Sequence, residues 1–195
     1  MKAKLPTGIP PYSFLLILVA LLSSCNSGSQ KAVQYMPESS DIPQGYGLVN
    51  EEKHRQSGHD VAEANYFSTD VYVADGTPLA LSFLGDVNES GEIDAATLSG
   101  CRDAIETWQK SIWEKGGGIT LTPMPLASPI PNVDDYRSYA GKNSEIAVSA
   151  ACFVRNNFTG IVVLAYLHAP DNPEEDLIKF AQLMTKNLPP NVSNP

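Results

Sequence analysis

Nowhere do the 195 residues contain an apolar run long enough to span a bilayer; the longest, Phe14 to Leu22 (FLLILVALL), is nine residues, against the ~20 that a transmembrane helix needs. The short motifs of common chemistries are missing as well. There is no GxSxG or SxxK for an activated serine, no HExxH for zinc and no CxxC for redox or metal work. Positive charge is scarce, with 13 Lys and Arg against 22 Asp and Glu and a net charge of −9. A chain this acidic does not seek nucleic acid or anionic headgroups, and its natural small partners are cations. Histidines number three; His54 and His59 stand five apart, on different sides of any helix, and so do not read as a metal pair. His168, at the end of an apolar strand, reads as a surface residue or cap.

The short apolar run has a specific context. Lys2 and Lys4 precede it, and Leu22-Ser23-Ser24-Cys25 follows, then the polar tract Asn26 to Gln30. Length and flanking charge favour a cleaved export signal over a retained span. The LSSC tetrad resembles the lipobox of bacterial lipoproteins, which implies that Cys25 receives diacylglycerol and becomes the N-terminus of the mature chain. Two or three acyl chains, palmitate among them, then hold the protein stably at the membrane, where one chain holds it only weakly. The resemblance implies a cell-envelope protein on the extracytoplasmic face. Asn26, where an aspartate would signal inner-membrane retention, favours the outer membrane if the organism has one.

This divides the chain into a signal (1–24), a flexible tether (25–45) rich in Ser, Gly and Pro, one domain (46–190) and a short tail (191–195). Losing residues 1–24 removes two of the 13 basic residues and none of the 22 acidic ones, taking the net charge from −9 to −11.

Within the domain, Tyr46 to Val49 reads as a short strand, and the polar stretch Asn50 to Asp60 has no assignable period. Tyr66 to Ala74 and Leu79 to Leu84 alternate on either side of Asp75-Gly76, a hairpin signal because both turn residues tolerate positive φ. Leu98, Cys101, Ile105, Trp108 and Ile112 form one apolar stripe, predicting a helix over 95–115 stopped by Gly116 to Gly118. Ile119 to Thr122 starts as a strand, and Pro123, Pro125, Pro129 and Pro131 then bar a helix or a central strand. Ser144 to Arg155 alternates, Asn156-Asn157 turns, and the apolar Phe158 to Leu167 suits the centre of a sheet. Asn172-Pro173-Glu174-Glu175 opens a closing helix with Leu177, Ala181, Met184 and Leu188 inward. The expected fold is α+β, an antiparallel sheet of about five strands with two helices packed on one face. In broad order this resembles the small exported lipoprotein domains that include the PsbP-like group. That likeness carries over no functional residue.

Cys101 on the helix stripe and Cys152 on the alternating strand meet if that helix packs on that face, and an exported chain is where such a bond persists. A disulfide between them is expected.

Asp86 to Thr97 resembles the calcium loop of EF-hands and, with Gly85, the GDVN opening of dockerins. Asp86, Asn88, Ser90 and Asp94 occupy ligand positions one, three, five and nine. Gly91 stands at six, and Glu92 would offer its carbonyl at seven. Thr97 stands at twelve in place of the closing carboxylate, so the resemblance implies a weak, extracellular-type calcium site.

Three functions remain open: a non-enzymatic binding or accessory domain for an envelope protein or small ligand, a hydrolase whose site has no motif, and a calcium-dependent interaction module.

Overall fold

The structure, a computed structural model, describes residues 31–70, 72–91, 95–112 and 118–188. Seven strands form one antiparallel sheet: β1 (Tyr46–Gln56), β2 (His59–Ser68), β3 (Ala80–Asn88), β4 (Thr122–Pro123), β5 (Asp135–Lys142), β6 (Ala147–Arg155) and β7 (Phe158–Tyr166). Their order across the sheet is β1-β2-β3-β7-β6-β5-β4. Helix α1 (Cys101–Ile112) follows a 3-10 turn at Ala95–Gly100, and helix α2 (Pro173–Thr185) closes the domain. No described helix is long and apolar enough to cross a membrane.

Strand β7 is central and buried along its whole length. Because strand side chains alternate, Phe158, Val162, Leu164 and Tyr166 feed one core while Ile161, Val163 and Ala165 feed another. In β6, Ala151 and Phe153 join the first core, and Val148, Ala150, Cys152 and Val154 join the second. Both faces therefore need a cover. Leu177, Phe180, Ala181 and Met184 of α2 cover the first; Leu98, Cys101 and Ile105 cover the second. The expectation of two helices on one face is thus corrected to one helix on each. A strand apolar on both sides cannot leave one of them to water. At Gly160 the Phe153 ring lies where a β-carbon would stand, so the closest approach of β6 to β7 needs a glycine there.

The sheet has two more strands than the roughly five expected. Residues 50–56 are strand, extending β1, which turns into β2 through Ser57 and Gly58 at φ 53° and 83°. Both turn residues sit in the left-handed region that suits a two-residue hairpin. Asp75-Gly76 does make a turn, with Thr77 N–H donating to Ala74 O at 3.0 Å. It lies, however, in a longer connection between Ser68 and Ala80. The proline-marked segment behaves as its composition demands: β4 is two residues at the sheet edge, and Ile130 packs beneath α2.

Residues 31–45, expected as part of a flexible tether, are packed on the domain. Lys31 N–H and Ala32 N–H both donate to the buried carboxylate of Asp60, Ala32 is fully buried, and Met36 and Ile42 enter the first core. Tyr35 packs its ring on Phe158 at 4.8 Å between centroids. Burial of these apolar groups outweighs the Pro and Ser content that suggested a free linker.

The Cys101–Cys152 disulfide is present, with the two Cα atoms 6.3 Å apart and a sequence separation of 51. It fixes the first turn of α1 to β6 inside the second core. Closing a loop of that length contributes about 4 kcal/mol in the chain-entropy model. Reduction, or the Cys101→Ala/Cys152→Ala pair, is expected to lower the unfolding free energy by that amount, and with it the urea midpoint, while leaving the sheet intact. An unchanged midpoint would show that the bond adds nothing.

Candidate functional site

Where β7 ends, the first face of the sheet is not fully covered. Tyr166 stands opposite Ala147, and Ser149 stands between Leu164 and Ala140. Ala140 in turn pairs with Thr122. Small residues beside a large ring leave space. The result is a cleft of about 380 Å³ bounded by β4, the β5–β6 hairpin, Ala169 and Pro173 at the start of α2. A second hollow of about 430 Å³ continues from it over Asn143 to Ile146, Leu167 and His168, and the two share Lys142, Ala147 and Ala169.

The walls of the first cavity are mainly apolar, with Lys142 its one charged lining residue, exposed at the rim, and Glu145 lines the second. The floor is polar. Ser149 and Tyr166 are almost wholly buried, yet neither Ser149 Oγ nor Tyr166 Oη completes a hydrogen bond of ordinary geometry. Ser149 and Asp176 nevertheless lie close enough to act on the Tyr166 hydroxyl, and burial above all holds that phenol far above its usual range. Tyr166 is therefore a neutral hydroxyl at any physiological pH. Tyr46, nearby, is pushed up to about 12 by burial and by the charges of Asp176 and Asp70, and it donates to Pro78 O at 2.5 Å.

Among the described residues, no base is hydrogen-bonded to Ser149, so none of them activates it as a nucleophile.

The residues singled out in the sequence lie elsewhere. Asp86 and Asn88 are the last residues of β3, extended rather than curled into a loop. Both carboxylate oxygens of Asp86 face His59 Nδ1, at 2.9 and 3.1 Å, and Asn88 Oδ1 accepts the Ser90 N–H at 2.9 Å. Glu92 and Asp94 fall outside the described residues, as does Cys25. His54 and His59 lie on a hairpin rather than a helix and share a sheet face. Among the described residues, no three such groups gather to hold a metal.

Ser149 and Tyr166 escaped motif reading because no motif contains them. The available signal was a serine and a tyrosine at inward positions of two apolar strands, opposite alanines. No family model, curated protein or solved structure matches the chain.

Asp176 gives a pH test. Burial raises its carboxyl above the ordinary value, more than Lys179 and Tyr166 lower it. A carboxyl raised on folding stabilises the fold below its unfolded pKa, and that contribution is lost as pH rises through the folded value. At neutral pH the charged form is thus a burden. Asp176→Asn is expected to melt above wild type at pH 7, with the gap closing as pH falls below about 4; a lower melting temperature at pH 7 contradicts this.

Proposed function

We propose that this chain is a lipid-anchored, extracytoplasmic protein of the cell envelope, and that its single domain is a non-enzymatic binding module with the cleft beside α2 as its site. The observation that carries the binding role is the open, mainly apolar cleft of about 380 Å³ that Ser149 and Tyr166 help to line. Pockets of this size with a few placed polar groups are where small ligands are held. Among the described residues, no base is hydrogen-bonded to Ser149, which weighs against the hydrolase reading.

The location rests on Leu22-Ser23-Ser24-Cys25, supported by a buried disulfide of the kind that persists in oxidising compartments. Lys31 lies six positions after Cys25, a reach of at most about 21 Å when fully extended. Lys31 is held at Asp60, which pairs with Val87 near the end of β3. The cleft opens at the other end of the strands, around Tyr166 and Lys142. An anchor at Cys25 would hold the domain close to the membrane by the end farther from the cleft, leaving the cleft open to water.

Growth with radioactive palmitate followed by membrane fractionation tests the anchor. Wild type is expected to be labelled and to sediment with membranes, and Cys25→Ser to be unlabelled and released. Label retained by Cys25→Ser, or none in wild type, would contradict the assignment.

A further inference from the structure

The two ends of the sheet differ in surface. Among the described residues four large apolar side chains stand exposed, Leu48, Val49, Tyr72 and Leu167, with Tyr72 91% exposed. Scattered singly, such residues need no account. These four share one end. Leu48 and Val49 lie near the start of β1, beside the close of β2; Tyr72 lies in the β2–β3 connection, and Leu167 follows β7. The opposite end, with the Ser57-Gly58 and Asn156-Asn157 turns, has none among the described residues.

Charge divides in the same way. Asp70, Asp75, Glu145, Asp171 and Glu175 are exposed at the apolar end, and Glu174 is half-buried there. None of the six forms an ion pair with a described residue. Lys142 is the one Lys or Arg described in the loops of that end. At the opposite end acids come with bases: Glu89 with Arg55 and Lys31, Asp134 with Arg155, and Asp135 with Arg137. Unneutralised carboxylates around exposed apolar groups attract a cationic surface and repel an anionic one.

That charge selects the occupant. A second copy of this chain would set the same acids against these, and an anionic membrane would be repelled. The stretches 26–30 and 189–195 of the chain itself contain no Lys or Arg. We propose that this end of the domain docks a protein partner whose contact surface presents Lys or Arg around apolar side chains. Leu48, Val49, Tyr72 and Leu167 supply the buried contact, and the acids steer and orient the encounter. The proposal rests on neither the cleft nor the anchor. With lipid at Cys25, the docking end would face away from the membrane.

The test is a titration of the exported full chain, carrying Cys25→Ser to keep it in water and labelled with ¹⁵N. Three capped decapeptides serve as probes, alternating Lys-Leu, Lys-Ser and Glu-Leu. Lys-Leu is expected to shift the amide signals of Val49, Tyr72 and Leu167 and not those of Ser57 and Asn156. Lys-Ser and Glu-Leu should bind about tenfold weaker or worse, and salt at about 0.5 M should weaken Lys-Leu. Asp75→Asn/Asp171→Asn is expected to weaken Lys-Leu about tenfold and Tyr72→Ser about fivefold. Glu38→Gln/Asp103→Asn, the same change in charge elsewhere, should weaken it less than twofold. All these side chains are exposed, so the melting temperatures should stay together. Shifts centred on Ser57 and Asn156, or none, would overturn the docking surface. Lys-Ser or Glu-Leu binding as tightly as Lys-Leu would overturn the partner's chemistry. Equal weakening by the two double variants would show only the overall charge at work and overturn the proposal. The cleft reading is tested apart, since Tyr72, Asp75 and Asp171 do not line it.

Discussion

The rest of the molecule depends on the burial of β7 on both of its faces. Nine consecutive residues, Phe158 to Tyr166, lie inside, and the pleat sends them alternately into two separate cores. From that constraint the layering follows. β3 and β6 must flank β7 to satisfy its backbone, and each face must carry its own cover. Helix α2, the proline-marked segment and residues 31–42 supply one cover. Helix α1 supplies the other, pinned by the disulfide to Cys152.

The same arrangement creates the cleft. Along the first face, large side chains fill the centre: Phe83, Phe153, Phe158 and Phe180 all lie in one cluster. Toward the β4 edge the pairs shrink to Ala140, Ala147 and Ser149, and α2 begins only at Pro173. The cover stops short of the sheet's corner, and Tyr166 and Ser149 are among the residues that line the gap.

Elements whose burial dictates a period were legible in the residues. The Asn156-Asn157 turn, the inward face of α2 and the Cys101–Cys152 bond each follow from apolar spacing, and each is present. Strands at or next to the edges were not. β1 carries Asn50, Glu51, Glu52, Lys53, His54 and Arg55 in succession, and β5 mixes Arg137 and Ser138 with Tyr136 and Tyr139. Such strands are held by ladder hydrogen bonds and by charge that guards an edge, neither of which leaves an apolar alternation. The docking of residues 31–42 was hidden because three apolar anchors, Ala32, Met36 and Ile42, are scattered among turn formers. The second face of β7 was visible as an unbroken apolar run; its consequence, a helix on each side, followed only from the topology. The cleft lay beyond reach, since pairing register decides which small residues stand together, and register is not written in any one strand.

The central claim is that the cleft beside α2 is a binding site for a small molecule. A high-resolution crystal structure of the exported protein tests this most directly. The account predicts an open cleft that holds a bound small molecule or ordered water against its walls. A cleft filled by the protein's own side chains would contradict it.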